Sequence, residues 1–325
     1  MFEDVQSFPV LGLTVYKYGL SLAVAAAAWL YLSGFLAKKR NLPGNTVLLT
    51  GVLAIPLSLI FGRLLFCLVS LGYFLETIGQ PAAMFYFWDG GLSMMGALLG
   101  VGLAALIAAR LKKARFLVLM DVLAVPAGLF IAIARLGEAY TTLGRGKSID
   151  AEWMQSSMFF STREAWGDYY AVFRYEAAVA AILLLVMLCL FFGRKTRATL
   201  RPGDLALVFG TLFGSAQVVL ESLRDDGHML WGFVRASQII SILLPVAAVI
   251  VFSVRLIRRE GMRLHPVLAW ITAAAAIGLA VIKEFDIDTS DNLFREYALM
   301  SLAMAALAAV ALLLLRKANN KRQHL

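Results

Sequence analysis

Long runs of Leu, Ala, Val and Ile recur through the 325 residues and constrain the fold more than any other feature of this chain. A stretch of about twenty apolar residues is the length that crosses a bilayer as a helix. These runs lack the apolar/polar alternation of a barrel strand, so every backbone polar group has to be satisfied within helices. With 61% hydrophobic residues, 16% charged residues and a mean hydropathy of +0.78, the sequence predicts an all-α polytopic membrane protein.

The formal charge of +9 could point to nucleic acid, but its distribution excludes that class. Basic residues gather at alternate ends of the apolar runs: Lys38 to Arg40, Arg110 to Arg115, Arg194 to Arg201, Arg255 to Arg263 and Arg316 to Arg322. Most acids lie in the intervening loops, among them Asp150, Glu164, Asp225, Glu284 and Asp291. This is the positive-inside pattern, and it predicts an inner-membrane protein with its N-terminus outside and its C-terminus in the cytoplasm. The acidic N-terminus MFEDVQSFPV has no basic n-region, so no cleavable signal peptide is expected. Cys67 and Cys189 sit inside apolar runs without ligand-like spacing, and neither a disulfide nor a metal site nor a cofactor is expected.

Taken in order, the spans are placed at about 13–36, 46–71, a third leaving at Arg110, 116–138, a fifth from Arg174 to Arg194, 204–224, 237–255, 267–282 and 297–315. That makes nine. Lys17 and Tyr18 stand near the outer end of the first, either as a snorkelling lysine with an interfacial aromatic or as headgroup contacts. Arg63, beside Gly62, lies deep in the second, where a charge points into the bundle and reads as functional. The run Trp88 to Gly102 carries Gly90, Gly91 and Gly96 with Ser93, and Asp89 suits an N-cap. Either a helix N-terminus holding phosphate or a close helix crossing accounts for those glycines. His228 reads as a solvated loop histidine, and the long aromatic loop 139–174 suits a headgroup layer or a protein substrate equally.

The stretch GLFIAIARLGEAYTTLGRG is the focus. Pro126 is expected to bend the fourth span, which brings Arg135 and Glu138 to its outer half on one face. A charge at mid-membrane costs on the order of 3 kcal/mol by insertion scales, so the two either pair with each other or serve a purpose. Gln217, Glu221 and Arg224 repeat at helical spacing in the sixth span and face one way.

In order, YG at Tyr18, GR at Arg63, WDGGLS at Trp88, RLG at Arg135, YEA at Tyr175, ESLR at Glu221 and SQIIS at Ser237 resemble the prolipoprotein diacylglyceryl transferase family. The resemblance covers about residues 16–254. It implies a seven-span bundle, placed over 1–260, and the apolar runs outside it read as an added two-span hairpin with a basic tail over 261–325. It further implies transfer of the diacylglyceryl group of phosphatidylglycerol to the lipobox cysteine of a prolipoprotein, whose signal peptide would be a partner.

This chain departs from the family pattern at several positions: Met95 where the family has a histidine, Glu138 and Ala139 where its signature runs to asparagine, and Gln217 where it has an arginine. Arg135 and Arg63 remain as cations for a departing phosphate. Glu138, or else Glu221, is the expected base, since a carboxylate in an apolar site can accept a thiol proton. Tyr18, Asp89, Gly90, Gly91, Ser93, Gly96, Gln217 and Arg224 are the expected substrate contacts. The alternatives are a lipid-binding relative that has lost catalysis and a transferase to a non-thiol acceptor.

Overall fold

The computed structural model describes residues 6–320 except 11, 88–89, 150–151, 165–166, 226–229, 232–233, 288 and 291, with the side chains of 195–197, 230–231 and 234 left aside. Asp89 and His228 therefore lie outside the described residues. The long helices are α1 (Lys17–Lys39), α2 (Thr46–Val69), α3 (Met94–Leu111), α4 (Phe116–Ala124) and α5 (Ala127–Gly137). After the short α6 (Glu152–Gln155) come α7 (Val172–Phe192), the short α8 (Arg194–Thr199), α9 (Asp204–Ser222), α10 (Ala236–Glu260), α11 (Leu264–Ile287) and α12 (Leu293–Asn319). Six short strands pair as hairpins: β1 (Ser7–Val10) with β2 (Leu13–Tyr16), β3 (Ser161–Glu164) with β4 (Gly167–Tyr170), and β5 (Leu230–Trp231) with β6 (Val234–Arg235).

Among the described residues eight helices are long and apolar enough to cross a membrane. The pair α4 and α5, joined at a 43° bend, together has the length and composition of a ninth. The protein is thus a multi-pass, all-α membrane protein. Leu48, Val52, Ile55 and Leu59 are exposed along α2, which is a lipid-facing surface and not a defect in packing.

The bend falls at Pro126, whose missing N–H breaks the helical ladder. The Trp29 indole donates to the Leu123 carbonyl at that break (3.0 Å), so α1 satisfies a group the helix has released. The first span starts later than its hydropathy suggests. Residues 13–16 belong to β2, so Lys17 and Tyr18 occupy the first turn of α1, and Lys17 Nζ donates to Gln6 Oε1 at 2.8 Å.

Helix α9 is anchored at its basic end. Asp121 of α4 accepts from the Gly203 and Ala206 amides (2.8 and 3.0 Å), supplying a carboxylate to the α9 N-terminus. Asp204 is wholly buried, pairs with Arg255 of α10 and accepts from Asn319 of α12 at 2.6 Å. From Asp204 to Glu221 the rise is about 26 Å at 1.5 Å per residue. This anchor therefore sets the depth at which the polar end of α9 meets its neighbours.

Helices α11 and α12 pack on each other and on α10, and α12 also packs on α9. Both run further towards the acidic tip than 267–282 and 297–315, because Lys283 pairs with Asp286 (2.5 Å) and Glu296 (2.8 Å) and extends the helical ends.

Candidate active site

Three helices, α5, α7 and α9, deliver charged groups to one buried place at the end of the bundle opposite the basic clusters. Arg135, in the last turn of α5, directs Nη1 to Glu138 Oε1 (2.5 Å) and Nε to Glu176 Oε2 (3.2 Å). Glu176, one turn into α7, also meets Arg224 Nη1 at 3.2 Å. Arg224, just past α9, places Nη2 3.7 Å from Glu138 Oε2. Gln217 bridges the remaining carboxyls, its Nε2 donating to Glu176 Oε1 (2.8 Å) and Glu221 Oε1 (2.9 Å). Gln217, Glu221 and Arg224 do share one face, because positions four and seven residues apart are neighbours on a helix.

Every one of these side chains is under a tenth exposed. Removed from water, such ions persist only with close partners, and here each guanidinium is shared between carboxylates. Among the described residues, Glu138 Oε2 accepts no hydrogen bond although it is fully enclosed. The half-buried Tyr18 ring lies within electrostatic reach of Arg135, Glu138, Glu176 and Arg224, and it packs beside Gly137.

The loop between α5 and α7 closes over this cluster. Gly146 bridges Arg224 in a short antiparallel pair, Asp225 N donates to Arg145 O (2.8 Å), and Gly146 N donates to Tyr170 O (2.8 Å). Gly144 takes φ +72°, and a Cβ there would run into Glu138 Oε2 and come within 2.7 Å of Phe173 Cβ. Glycine is required because main chain lies directly on the carboxylate. Tyr175 O–H donates to Phe160 O (2.8 Å) and Arg174 Nη1 to Ser161 O (2.6 Å), so the start of α7 holds the same loop down.

Arg63 is placed differently from Arg135. It is buried in α2 between the Phe66 and Phe74 rings, and its donors go to main-chain oxygens: Met84 O (2.8 Å), Ala83 O (2.8 Å), Gly91 O (3.3 Å) and Gly90 O. It clamps the loop 81–91. Gly90 and Gly91 have φ of +77° and +68°, a conformation incompatible with a right-handed helix, so α3 cannot begin at Asp89. The cap is Ser93 instead, accepting from Gly96 N at 3.3 Å.

Gly96 belongs to the close-crossing alternative. A Cβ on it would meet Phe61 O and Gly62 Cα of α2, and one on Gly100 would meet Leu57 O at 2.5 Å. The run nonetheless borders the cluster through Met94, whose Sδ accepts from Arg135 Nη2 at 3.5 Å. Met95 is buried in the core.

Thus Arg135, Glu138, Gln217, Glu221, Arg224 and Tyr18 come together, while Arg63, Gly90, Gly91, Ser93 and Gly96 shape the α2–α3 side. Glu176 is the central residue that sequence reasoning did not single out as part of the site. Its signal was available, since a glutamate within the apolar fifth span needs a partner as much as Arg135 does.

A family model described as prolipoprotein diacylglyceryl transferase matches residues 6–254. The phosphatidylglycerol–prolipoprotein diacylglyceryl transferase of Listeria monocytogenes serotype 4b is 27% identical over 268 residues, covering 81% of this chain and 92% of that protein. Proteins of the same name from Bacillus licheniformis and Halalkalibacterium halodurans are 26% and 28% identical over 254 residues. Each of these two alignments covers 77% of this chain, with 91% and 84% of the respective relative. With the matched region carrying the whole buried charge cluster, the chain belongs to the prolipoprotein diacylglyceryl transferase family.

Proposed function

We propose that this protein transfers the diacylglyceryl group of phosphatidylglycerol to the cysteine thiol of a prolipoprotein signal peptide. The observation that carries this reading is Arg135, a buried guanidinium held by two carboxylates in a bundle whose family relatives are named for that reaction. The substrate names come from the relatives, and the chemistry is assigned to this chain's own residues.

In the transfer a C–S bond forms at the glyceryl carbon while its C–O bond to phosphate breaks, so glycerol phosphate leaves and the thiol gives up its proton. The lipid phosphate takes the place of Glu138 on Arg135 Nη1, because both are planar-clamp acceptors for the same donors. Glu138, displaced and with Oε2 already free of hydrogen bonds among the described residues, takes the thiol proton. Arg135 and Arg224 then stabilise the charge on the leaving phosphate. Glu176 keeps both guanidinium groups aimed, and Gln217 holds Glu176 and Glu221 apart from the thiol. Arg63 acts by fixing the loop before α3, which borders Arg135 through Met94.

The basic ends of α1, α3, α10 and α12 support an orientation with those ends in the cytoplasm. The charge cluster would then face the outer leaflet, where signal peptides of exported proteins emerge.

The test is transfer itself, with purified protein in phosphatidylglycerol vesicles, a lipobox peptide and mass spectrometry of the peptide. A diacylglyceryl mass gain that disappears in Arg135→Ala and Glu138→Gln, with lipid binding kept in the latter, is the expected result. No gain beside an active family member in the same vesicles would favour a lipid-binding relative without this activity.

A further inference from the structure

The hairpin α11–α12 lies beyond the region that the family model matches, yet its acidic end reaches the helices that carry the charge cluster. Glu284 Oε2 of α11 accepts from Gln238 Nε2 at 3.1 Å. The same amide nitrogen lies 3.4 Å from Val218 O in α9, and Gln238 Oε1 accepts from the Arg235 amide at 3.0 Å. Arg235 is itself buried and donates through Nη2 to the Arg224 carbonyl at 2.8 Å. Tyr297 of α12 adds a second tie, its O–H donating to Ser222 O at 3.1 Å, one residue past Glu221.

We infer that Glu284 is a positioning residue for the transferase centre, holding Gln238 so that Arg235 and, through it, Arg224 keep their places against Glu176 and Glu138. The physical reason lies at the α9 terminus. The last carbonyls of a helix have no intrahelical donors, and where the chain turns towards α10 their direction depends on external ones. Ser222 O and Arg224 O receive theirs from Tyr297 and Arg235, so the hairpin sets the path on which Arg224 leaves the helix. Glu284 is itself kept in register by its neighbour Lys283, pinned to Glu296 at 2.8 Å across the hairpin. The influence of Glu284 on the centre passes through the bond it accepts from Gln238.

This inference rests on the transferase reading, and two measurements separate their fates. In the full chain in phosphatidylglycerol vesicles, Glu284→Leu is expected to lower kcat about tenfold, with KM for the lipid within about twofold. Glu284→Gln should recover most of that loss, because an amide oxygen can still accept from Gln238. Gln238→Leu should cost as much as Glu284→Leu, and the double variant no more than either. Losses that multiply in the double variant, or a Glu284→Leu protein with the wild-type kcat, would overturn the assignment. Hydrogen exchange at residues 219–225 gives a readout that needs no turnover. If the wild-type protein transfers nothing, the transferase reading fails. Faster exchange there in Glu284→Leu but not in Glu284→Gln would still uphold the positioning role, and unchanged exchange in both would end it.

Discussion

Arg63 and Arg135 look alike in the sequence, each an arginine within an apolar run, and the structure gives them opposite kinds of partner. Arg63 donates to main-chain carbonyls, and Arg135 to the carboxylates Glu138 and Glu176. The difference lies in what a substrate could displace. A phosphate can exchange with a carboxylate on Arg135 and leave a free base behind. On Arg63 it would have to unfold the loop 81–91 and orphan several carbonyls at once, each costing about 1–3 kcal/mol. One arginine is thus a site for exchange, and the other a fastener.

The sharpest way to break this contrast is Arg135→Gln. Transfer should fall by roughly 10³-fold in kcat/KM, the scale of losing an electrostatic donor, while the purified protein remains a folded bundle. Glutamine is preferred to leucine because breaking a buried ion pair against an apolar group would cost about 3–5 kcal/mol and confuse folding with chemistry, whereas an amide still donates to Glu138 and Glu176. Arg63→Leu should do the reverse. The thermal midpoint in detergent should drop by several degrees, and the fraction that stays folded should keep kcat within a few-fold of wild type. A folded Arg63→Leu protein with its midpoint unmoved and its transfer gone would dissolve the distinction.

Gly91→Ala tests the fastener from the other side. Its φ of +68° and a Phe66 ring carbon 2.5 Å from the new Cβ predict a loss of about 1–3 kcal/mol with no change in lipid KM. Smallest of all should be Gln217→Arg, which adds a third guanidinium between Glu176 and Glu221 where three carboxyls now share two. The protein should fold with its midpoint within a few degrees of wild type, measured by the same melt.

The spans were legible because hydrophobic runs and flanking charges are local signals, and so was the bend, since Pro126 removes a donor from the helical ladder. Arg135, Glu138, Gln217, Glu221 and Arg224 were legible for a related reason: an ion in an apolar run advertises its need for a partner. The identity of the partner was less so. Glu176 was read as the end of a span, because hydropathy marks where a helix leaves the membrane and not which neighbour it faces. The role of Arg63 left no trace, since its acceptors are backbone oxygens 20 to 28 positions away and any residue supplies a carbonyl. The fold of the loop between α5 and α7 was equally silent. Strands of four residues such as β3 and β4 are too short to show a period, and one tie of β4 to the rest of the loop is a main-chain bond from Gly146, a residue with no side chain, to Tyr170.

That the Arg63 clamp reads only main chain bears on how such a loop can change over time. The grip itself sets no limit on the side chains at Ala83 and Met84, because the guanidinium recognises the course of the chain and not its letters. What limits Ala83 is its burial beside Cys67 and Phe74. The loop can drift in sequence while its shape is inherited, and the tolerance ends at Gly90 and Gly91, where the course itself requires the absence of a side chain.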